Sequence, residues 1–311
     1  MIYYNQFTVN PEKFRGPQYN ISPFSTEWIK KNHTILNGDN AINYLLLKEF
    51  YGEDHYYYLN GKAALYAALS QYSLDKDDEV YIITTTGNKY ISSCVTTEIE
   101  KICKWSRKIS DRTRLILVNH EFGMSYQNMS EIKTFGLPII EDMAMSMFST
   151  DINNRTGDYG DFTIFSLPKF FPIQFGGILK INNRDLLTSS LKEDDLIGPD
   201  LRKLVSYYLH DVEKVILKRR QNYKLFSKKL KAIGIRERFK LLDRETPSVF
   251  MFDVPFGINK YEFKVFLQSN GVEASVFYGE DSFFIPVHQN LEEIDINFIV
   301  SLIQYFFSAN K

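Results

Sequence analysis

The fold of this 311-residue chain is decided by short apolar runs that end in polar side chains, and the most informative is FTIFSLPK, residues 162–169. The run predicts a buried strand, and the hydroxyl of Ser166 and the amine of Lys169 follow it directly. A second run, PIIED at residues 138–142, ends in the carboxylate of Asp142. Because ligands of parallel sheets lie beyond the carboxyl ends of the strands, we expect these three side chains to share one crevice.

Further apolar runs with segments of helical pattern between them occur at residues 56–59, 80–83, 115–118 and 177–181. Short continuous apolar strands that alternate with helices are typical of a mostly parallel sheet with helices on both faces. The predicted fold class is therefore α/β. Residues 1–40 are polar and interrupted by Pro and Gly, which predicts an extended arm with at most short structure.

A change of pattern near residue 200 predicts two domains. Residues 1–200 form the large domain with its N-terminal arm, and residues 201–311 form a smaller α+β domain. The smaller domain is expected to begin with one long helix, from 201 to about 233. A strand and two helices are predicted after it, at 249–254, 260–270 and 292–308.

The composition is that of an ordinary globular protein, with 44% hydrophobic and 24% charged residues. Its 37 basic and 38 acidic residues give a net charge of −1, so no broad electric field favours nucleic acid or an anionic membrane. No apolar run reaches the roughly 18 residues of a membrane span. The first residues lack the basic and apolar pattern of a signal peptide, so a cytoplasmic protein is expected.

The potential metal ligands are few and scattered. Cys94 and Cys103 form no Cys-x-x-Cys pair, and buried, inert thiols are the favoured interpretation. The five histidines include no pair at i, i+4, so no metal site is expected.

The free backbone amides of a helix N-terminus are a fourth kind of group, beside the amine of Lys169, the hydroxyl of Ser166 and the carboxylate of Asp142. Asn60-Gly61 opens a predicted helix over 62–72, whose first amides are free to bind an anion. Pyridoxal 5′-phosphate (PLP) needs this combination. An amine binds its aldehyde, a carboxylate keeps its ring nitrogen protonated, and amides with a hydroxyl hold its phosphate.

The order of several motifs is more specific than any one of them. The chain carries GKAAL (61–65), DDEV (77–80), HEFG (120–123), EDMA (141–144) and GDYGD (157–161), followed by Ser166, Lys169 and a double glycine at 176–177. This series, from about residue 41 through 181, resembles the DegT/DnrJ/StrS-type sugar aminotransferases. The resemblance implies a PLP-dependent enzyme with the aspartate-aminotransferase fold.

The resemblance also implies roles for individual residues. Lys169 matches the residue that attaches the cofactor and moves protons, and Asp142 matches the partner of the ring nitrogen. Gly61, Lys62 and Ser166 match the phosphate site, and Met145 matches the position near the ring hydroxyl. Each residue also has a plain alternative: a surface lysine, an N-cap aspartate, a turn glycine and a strand-end hydroxyl. Tyr90 or a neighbour in 84–92 is a candidate for stacking on the ring, although core packing is favoured for it.

Four features depart from the family pattern, and one of them is the short stretch between Val95 and Arg114. Lys62 stands where a threonine or serine is usual, and an ammonium is a mobile point charge instead of a fixed hydroxyl. Met145 stands where glutamine or histidine is usual, and a thioether is a weak acceptor. Lys169 follows the serine by two residues fewer than usual, with Pro168 to stiffen the short connection.

Two functions of different class remain open. The first is an aminotransferase that moves an amino group, with glutamate as the expected donor, to a keto group of a nucleotide-linked deoxysugar for surface polysaccharide, such as lipopolysaccharide. The second is a catalytically impaired relative that serves as a binding or regulatory scaffold. A PLP sugar dehydratase is disfavoured because that branch of the family replaces the lysine with histidine. Enzymes of this fold usually build their site between two subunits, so a homodimer is expected.

Overall fold

The computed structural model describes residues 19–188 and 191–310, and within them the main element is a seven-stranded sheet. Its strands are β1 (His55–Tyr58), β2 (Glu79–Thr84), β3 (Lys104–Ser106), β4 (Thr113–Asn119), β5 (Ile139–Asp142), β6 (Phe162–Ser166) and β7 (Gly177–Ile181). They lie in the order β1-β7-β6-β5-β4-β2-β3. Neighbouring strands from β6 to β3 are parallel, whereas β7 runs antiparallel to β6 and β1. The predicted α/β class with a mostly parallel sheet is confirmed.

Helices cover both faces of this sheet. They are α1 (Glu27–Asn37), α2 (Tyr44–Tyr51), α3 (Gly61–Leu69), α4 (Ser93–Glu100), α5 (Met129–Lys133) and α6 (Gly198–Leu209). One apolar core lies between the sheet and α3 with α4, and another lies between the sheet and α1, α2 and α6. Because both faces are covered, all four residues of β5 are buried.

The predicted extended arm is only partly correct. Residues 27–37 form α1, and Ile35 is buried while Trp28 and Leu36 pack against the core beneath α6. The polar composition of the segment hides this narrow apolar stripe. Residues 1–18 of the predicted arm lie outside the described residues.

The predicted long helix from 201 to 233 is two helices, α6 and α7 (Val212–Ala232). Asp211 interrupts helical geometry, with φ −108° and ψ 17°. The apolar face of α6 joins the core of the large sheet, whereas Tyr223, Phe226 and Leu230 of α7 join a separate core. One straight helix cannot direct a single stripe toward two cores, and the break resolves that conflict.

The second core belongs to a three-stranded antiparallel sheet, with β8 (Val249–Asp253), β9 (Ser275–Phe277) and β10 (Ser282–Pro286) in the order β8-β10-β9. Helices α7, α8 (Lys260–Ser269) and α9 (Glu293–Ala309) supply the remaining side chains of this core. A capping box between Glu292 and Asp295 begins α9. The predicted strand at 249–254 and the helices near 260 and 292 are therefore found, while β9 and β10 are additional.

The division into domains at residue 200 stays a prediction. The large core extends along the chain to Val212, and the small core begins at Tyr223. We therefore propose that the division lies within the first half of α7 and not before α6. No helix among the described residues is both long enough and apolar enough to cross a membrane.

Candidate active site

A cavity of about 510 Å³ lies beyond the carboxyl ends of β4, β5 and β6, where β9 and Phe284 face it from the small sheet. The residues predicted for the site all line it: Gly61, Lys62, Asp142, Met145, Ser166 and Lys169. The structure therefore brings together an amine and a carboxylate that are 27 positions apart in the chain. Their catalytic and binding roles remain proposals.

Asp142 ends β5 and is almost fully buried, with 6% of its surface exposed. Its Oδ1 accepts a hydrogen bond from the amide of Ala144 at 2.9 Å, and the described residues give the carboxylate no other donor. Burial raises the pKa of Asp142, although the Ala144 amide and His120 oppose the shift. A cationic group in the cavity would favour the ionised carboxylate, so the site suits a protonated ring nitrogen.

Glu141 points to the other side of β5 and organises the GDYGD motif. Its carboxylate accepts hydrogen bonds from the amides of Gly157, Tyr159 and Gly160 at 2.7–2.9 Å. His120 Nδ1 accepts from a backbone amide, so its Nε2 carries the proton and donates to Glu141 Oε2 at 3.2 Å. Burial alone would raise the pKa of Glu141, but these hydrogen bonds outweigh it and the pKa is lowered.

Lys169 ends a short 3-10 turn, Leu167–Lys169, that follows β6. The amides of Phe170 and Phe171 both donate to the carbonyl of Leu167, which closes the shortened connection. The amine of Lys169 makes no hydrogen bond or ion pair with the described residues, and the residue is half-buried at the cavity. The amine is therefore free to react with a ligand there.

Three consecutive carbonyls of this turn are each held by a side chain from a distant segment. Ser22 Oγ donates to Pro168 O at 2.7 Å, Arg219 Nη2 to Lys169 O at 2.9 Å, and Gln289 Nε2 to Phe170 O at 2.9 Å. The three donors lie before α1, on α7 and after β10. The position of the lysine turn is therefore tied to the small sheet and its helices.

Arg219 is the centre of these contacts and is fully buried. Its Nη1 also donates to Pro247 O at 3.0 Å, its Nε donates to Gln289 Oε1 at 2.8 Å, and its guanidinium lies 4.6 Å from the ring centroid of Phe170. Burial lowers the pKa of Arg219 to about 9, so the group is charged at neutral pH. No carboxylate among the described residues pairs with it.

The predicted phosphate site lies at the N-terminus of α3. Asn60 caps the helix by accepting from the Ala63 amide at 2.9 Å, while the amides of Gly61 and Lys62 have no acceptor among the described residues. A Cβ on Gly61 would stand 3.4 Å from Cβ and 3.7 Å from Oγ of Ser166, in the space that an anion would use. Two free amides and a hydroxyl converge there, as a phosphate requires.

Gly177 positions this helix. A Cβ on Gly177 would lie 2.4–2.6 Å from the backbone of Asn60 and Gly61. The start of β7 therefore packs directly against the peptide that opens α3, and only glycine permits that approach.

The structure also adds residues to the cavity that the sequence did not assign to it. Asn119, at the end of β4, and Glu121, two residues beyond it, line the cavity. Cys94 also lines the cavity and is exposed, so the prediction that its thiol is buried is wrong. Tyr90 also lines it, is 44% exposed and lies 5.0 Å from the ring of Tyr278, so core packing is wrong for Tyr90. A polar residue shortly after a predicted strand was the available signal for Asn119 and Glu121. Nothing local distinguishes Cys94.

Comparison with known proteins identifies the family. The model of the DegT/DnrJ/EryC1/StrS aminotransferase family matches residues 26–186, which is 161 of the 311 residues. The chain belongs to this family. The predicted enzyme class, a PLP-dependent sugar aminotransferase, is thereby confirmed, and so is PLP as its cofactor.

Individual relatives of the DegT/DnrJ/EryC1/StrS family are distant. GDP-perosamine synthase of Vibrio cholerae is 22% identical over 278 residues, which cover 75% of this chain and 74% of the relative. PseC of Helicobacter pylori, an aminotransferase involved in pseudoaminic acid biosynthesis, has a TM-score of 0.72 at 18% identity and covers 94% and 100% of the two chains. The PLP form of the putative sugar aminotransferase Spr1654 of Streptococcus pneumoniae has a TM-score of 0.73 at 14% identity and covers 95% and 100%. These structures confirm the fold that the resemblance implied.

The residues of this DegT/DnrJ/EryC1/StrS family member fit the cofactor. The cavity offers a free amine, a buried carboxylate with a vacant hydrogen-bonding position and an open helix N-terminus beside a hydroxyl. Two of the departures from the family pattern also line it, since Lys62 is exposed beside the open amides and Met145 is half-buried three residues after Asp142. Neither side chain blocks the other groups.

Proposed function

We propose that this protein transfers an amino group from glutamate to a keto group of a nucleotide-linked deoxysugar, and that the product enters surface polysaccharide. The observation that carries the proposal is the convergence of Lys169 and Asp142 on one cavity. The names of two relatives support the class of acceptor, because one is a synthase of a GDP-linked amino sugar and the other serves an amino-sugar pathway. When bound, PLP supplies an electron sink for the carbon that gains or loses the amino group.

The roles of the residues follow from their positions. Lys169 would hold the cofactor through its amine, and the same amine would serve as the general acid and base at the reacting carbon. Asp142 would keep the ring nitrogen protonated, since among the described residues its buried carboxylate accepts a hydrogen bond only from the Ala144 amide. The amides of Gly61 and Lys62 and the Ser166 hydroxyl bind phosphate, and the Lys62 ammonium adds positive charge there.

The apolar part of the cavity wall would surround the pyridine ring of the cofactor. Ile164 on β6 is buried and Val95 on α4 is nearly so, and both line the cavity. Tyr90 and Phe122 line it as well and supply aromatic surface. These side chains limit the access of water to the reacting atoms. Met145 offers the ring hydroxyl no strong hydrogen bond, so we expect weaker cofactor binding than glutamine would give.

A homodimer and a cytoplasmic location belong to the same proposal. The exposed apolar residues Tyr44 and Leu45 on α2 are 65% and 76% exposed in the single chain, which is compatible with a covering subunit. Gel filtration with light scattering tests the oligomeric state, and a monomer at working concentration would contradict the dimer.

Absorption spectroscopy tests the central assignment. Purified protein mixed with PLP should develop a visible band, and borohydride should bleach it and leave the label on Lys169. Lys169→Ala should show no band, while Lys76→Ala, a surface control, should behave as the wild type. A folded but colourless wild-type protein would instead support the scaffold alternative.

Turnover tests the substrate. The protein, PLP and glutamate are incubated with a GDP-linked or a UDP-linked 4-keto-6-deoxyhexose, and 2-oxoglutarate is measured. Production that depends on the sugar supports the proposal. A coloured protein that converts glutamate once but releases no further product with either sugar would refute the proposed acceptor.

A further inference from the structure

The carboxyl group of Glu121 is a buried polar group on the cavity wall that the proposed mechanism does not use. Glu121 is 7% exposed. Its Oε2 accepts from the Thr86 amide at 3.0 Å and from Thr86 Oγ1 at 2.6 Å, but the described residues give Oε1 no donor. Oε1 is not one of the fully enclosed polar atoms, and Glu121 lines the cavity, so a ligand in the cavity can donate a hydrogen bond to this oxygen.

The backbone after β4 is constrained in a way that fixes this side chain. Phe122 has φ 55°, a left-handed conformation that costs a non-glycine residue roughly 1 kcal/mol or more. Its ring lies 5.0 Å from Phe277 and 5.7 Å from Phe284 of the small sheet. A Cβ on Gly123 would lie 2.4 Å from the carbonyl oxygen of Thr246. Packing against the small sheet therefore holds Glu121 at the cavity.

The order of the strands places Glu121 apart from the phosphate site. Ser166 ends β6, Asp142 ends β5, and Asn119, paired in register with Asp142, ends β4 two residues before Glu121. Adjacent strands are separated by about 4.8 Å. A cofactor held by Ser166 and Asp142 would span the distance from β6 to β5, and Glu121 would then lie about one strand further along, on the side away from the phosphate site.

We infer that Glu121 accepts a hydrogen bond from a hydroxyl group of the acceptor sugar and is a specificity-determining residue for the sugar half of the reaction. This inference rests on the proposed function. A sugar offers neutral hydroxyl donors, which suit the carboxyl oxygen. The amino group of glutamate is the group that reacts, and the carboxylate of Glu121 would repel its two carboxylates, so we expect the amino donor not to use this contact.

The two half-reactions of the PLP-loaded protein separate this role from others. Single-turnover absorbance changes are measured first with glutamate and then with the GDP-linked or UDP-linked 4-keto-6-deoxyhexose. For Glu121→Ala we expect a 10- to 100-fold lower kcat/KM with the sugar and less than a twofold change with glutamate. Thr86→Val, which removes one of the two hydrogen bonds that orient the carboxyl, should give a smaller loss in the sugar half-reaction only.

Two controls distinguish a contact with the sugar from a general effect of losing a buried carboxylate and from a contact with the cofactor. Glu98→Gln removes a buried carboxylate from α4, where it pairs with Lys101 outside the cavity, and should leave both half-reactions unchanged. The pH titration of the visible band should also be unchanged in Glu121→Gln, because a contact with the cofactor would shift it. Folding of each variant is checked by the appearance of that band.

Equal losses in both half-reactions, a shifted titration of the band, or no loss with the sugar would each overturn the inference. In these three cases the wild-type aminotransferase activity still stands. A wild-type protein that reacts with glutamate but with neither sugar would overturn the inference together with the proposed acceptor. A wild-type protein that reacts with neither partner would overturn the whole proposed function.

Discussion

Replacement of Arg219 by lysine tests whether the lysine-bearing turn is held by the contacts that the structure shows. Arg219 donates to the carbonyls of Lys169 and Pro247 and to the side chain of Gln289, and all three bonds are 2.8–3.0 Å long. An ammonium keeps the charge, so the cost of burying it changes little. It lacks the planar fork of donors, however, and cannot serve three diverging acceptors.

The size of the effect follows from the acceptors left unmatched. If the ammonium keeps the Lys169 carbonyl, the buried carbonyl of Pro247 loses its donor at a cost of about 1–3 kcal/mol. Gln289 is half-buried and can turn toward water, which costs about 1 kcal/mol, and the stacking on Phe170 is weakened. We expect Arg219→Lys to lower the free energy of unfolding by about 3 kcal/mol.

Urea denaturation followed by circular dichroism measures this loss. Arg220→Lys is the matched control, because Arg220 is the next residue on α7, is partly exposed and makes one hydrogen bond, from Nε to the carbonyl of Glu245 at 2.9 Å. It should lose less than about 1 kcal/mol. The rate at which the visible band forms with PLP should fall in Arg219→Lys and not in Arg220→Lys.

Equal stability of the two variants would refute this role of Arg219, as would a normal rate of band formation in Arg219→Lys. Arg219→Met gives a further check. If the buried charge costs more than its hydrogen bonds return, this variant is more stable than the wild type, as has been measured for some buried ion pairs replaced by apolar groups. We expect it to be less stable, because three acceptors then lose their donor.

Three other predictions concern the cofactor site and its support. Gly177→Ala should lower the free energy of unfolding by about 2 kcal/mol or more and weaken PLP binding, since its Cβ would stand 2.4 Å from the carbonyl carbon of Asn60. Thermal unfolding measures the stability and a PLP titration measures the binding. Unchanged stability and affinity would contradict the close packing. Met145→Gln should tighten PLP binding or raise turnover, and no change in either would show that the thioether does not limit the site. Glu141 has a lowered pKa in the folded state, so its stabilising effect is present above its ordinary value of 4.5 and disappears as the pH falls through the folded value. The difference in unfolding free energy between the wild type and Glu141→Gln should therefore shrink between pH 6 and pH 3, and a constant difference would exclude this linkage.

The sequence predicts the large sheet well because its central strands are buried on both faces. The run at residues 115–118 has no polar interruption and the run at 162–165 has only Thr163, so their pattern is recognisable without knowledge of their neighbours. A short strand at one edge of the sheet is not predicted, because few of its residues are buried. The strand β3 has three residues and no buried one, and its pattern resembles a loop.

The site residues that follow strands could be found in the same way, because the position of a strand end is visible in the sequence. Arg219 could not, since it lies in the middle of α7 among other basic residues and its burial depends on Pro247 and Gln289 from later segments. The exposure of Tyr90 likewise depends on Tyr278, which is 188 residues away. Contacts of this kind are properties of the assembled chain and leave no local periodicity.

The distribution of the departures favours an enzyme over a scaffold. The departures at Lys62 and Met145 change side chains only, and each can be exchanged without moving the backbone. The groups that remain suited to PLP depend on backbone geometry: the open amides at Gly61, the close approach of Gly177 and the carbonyls held around Lys169. A scaffold has no need of a free amine on a turn that three distant side chains fix in place. A free amine on that turn and a buried Asp142 on the same cavity therefore support the proposal that the amine and the carboxylate act on the same ligand.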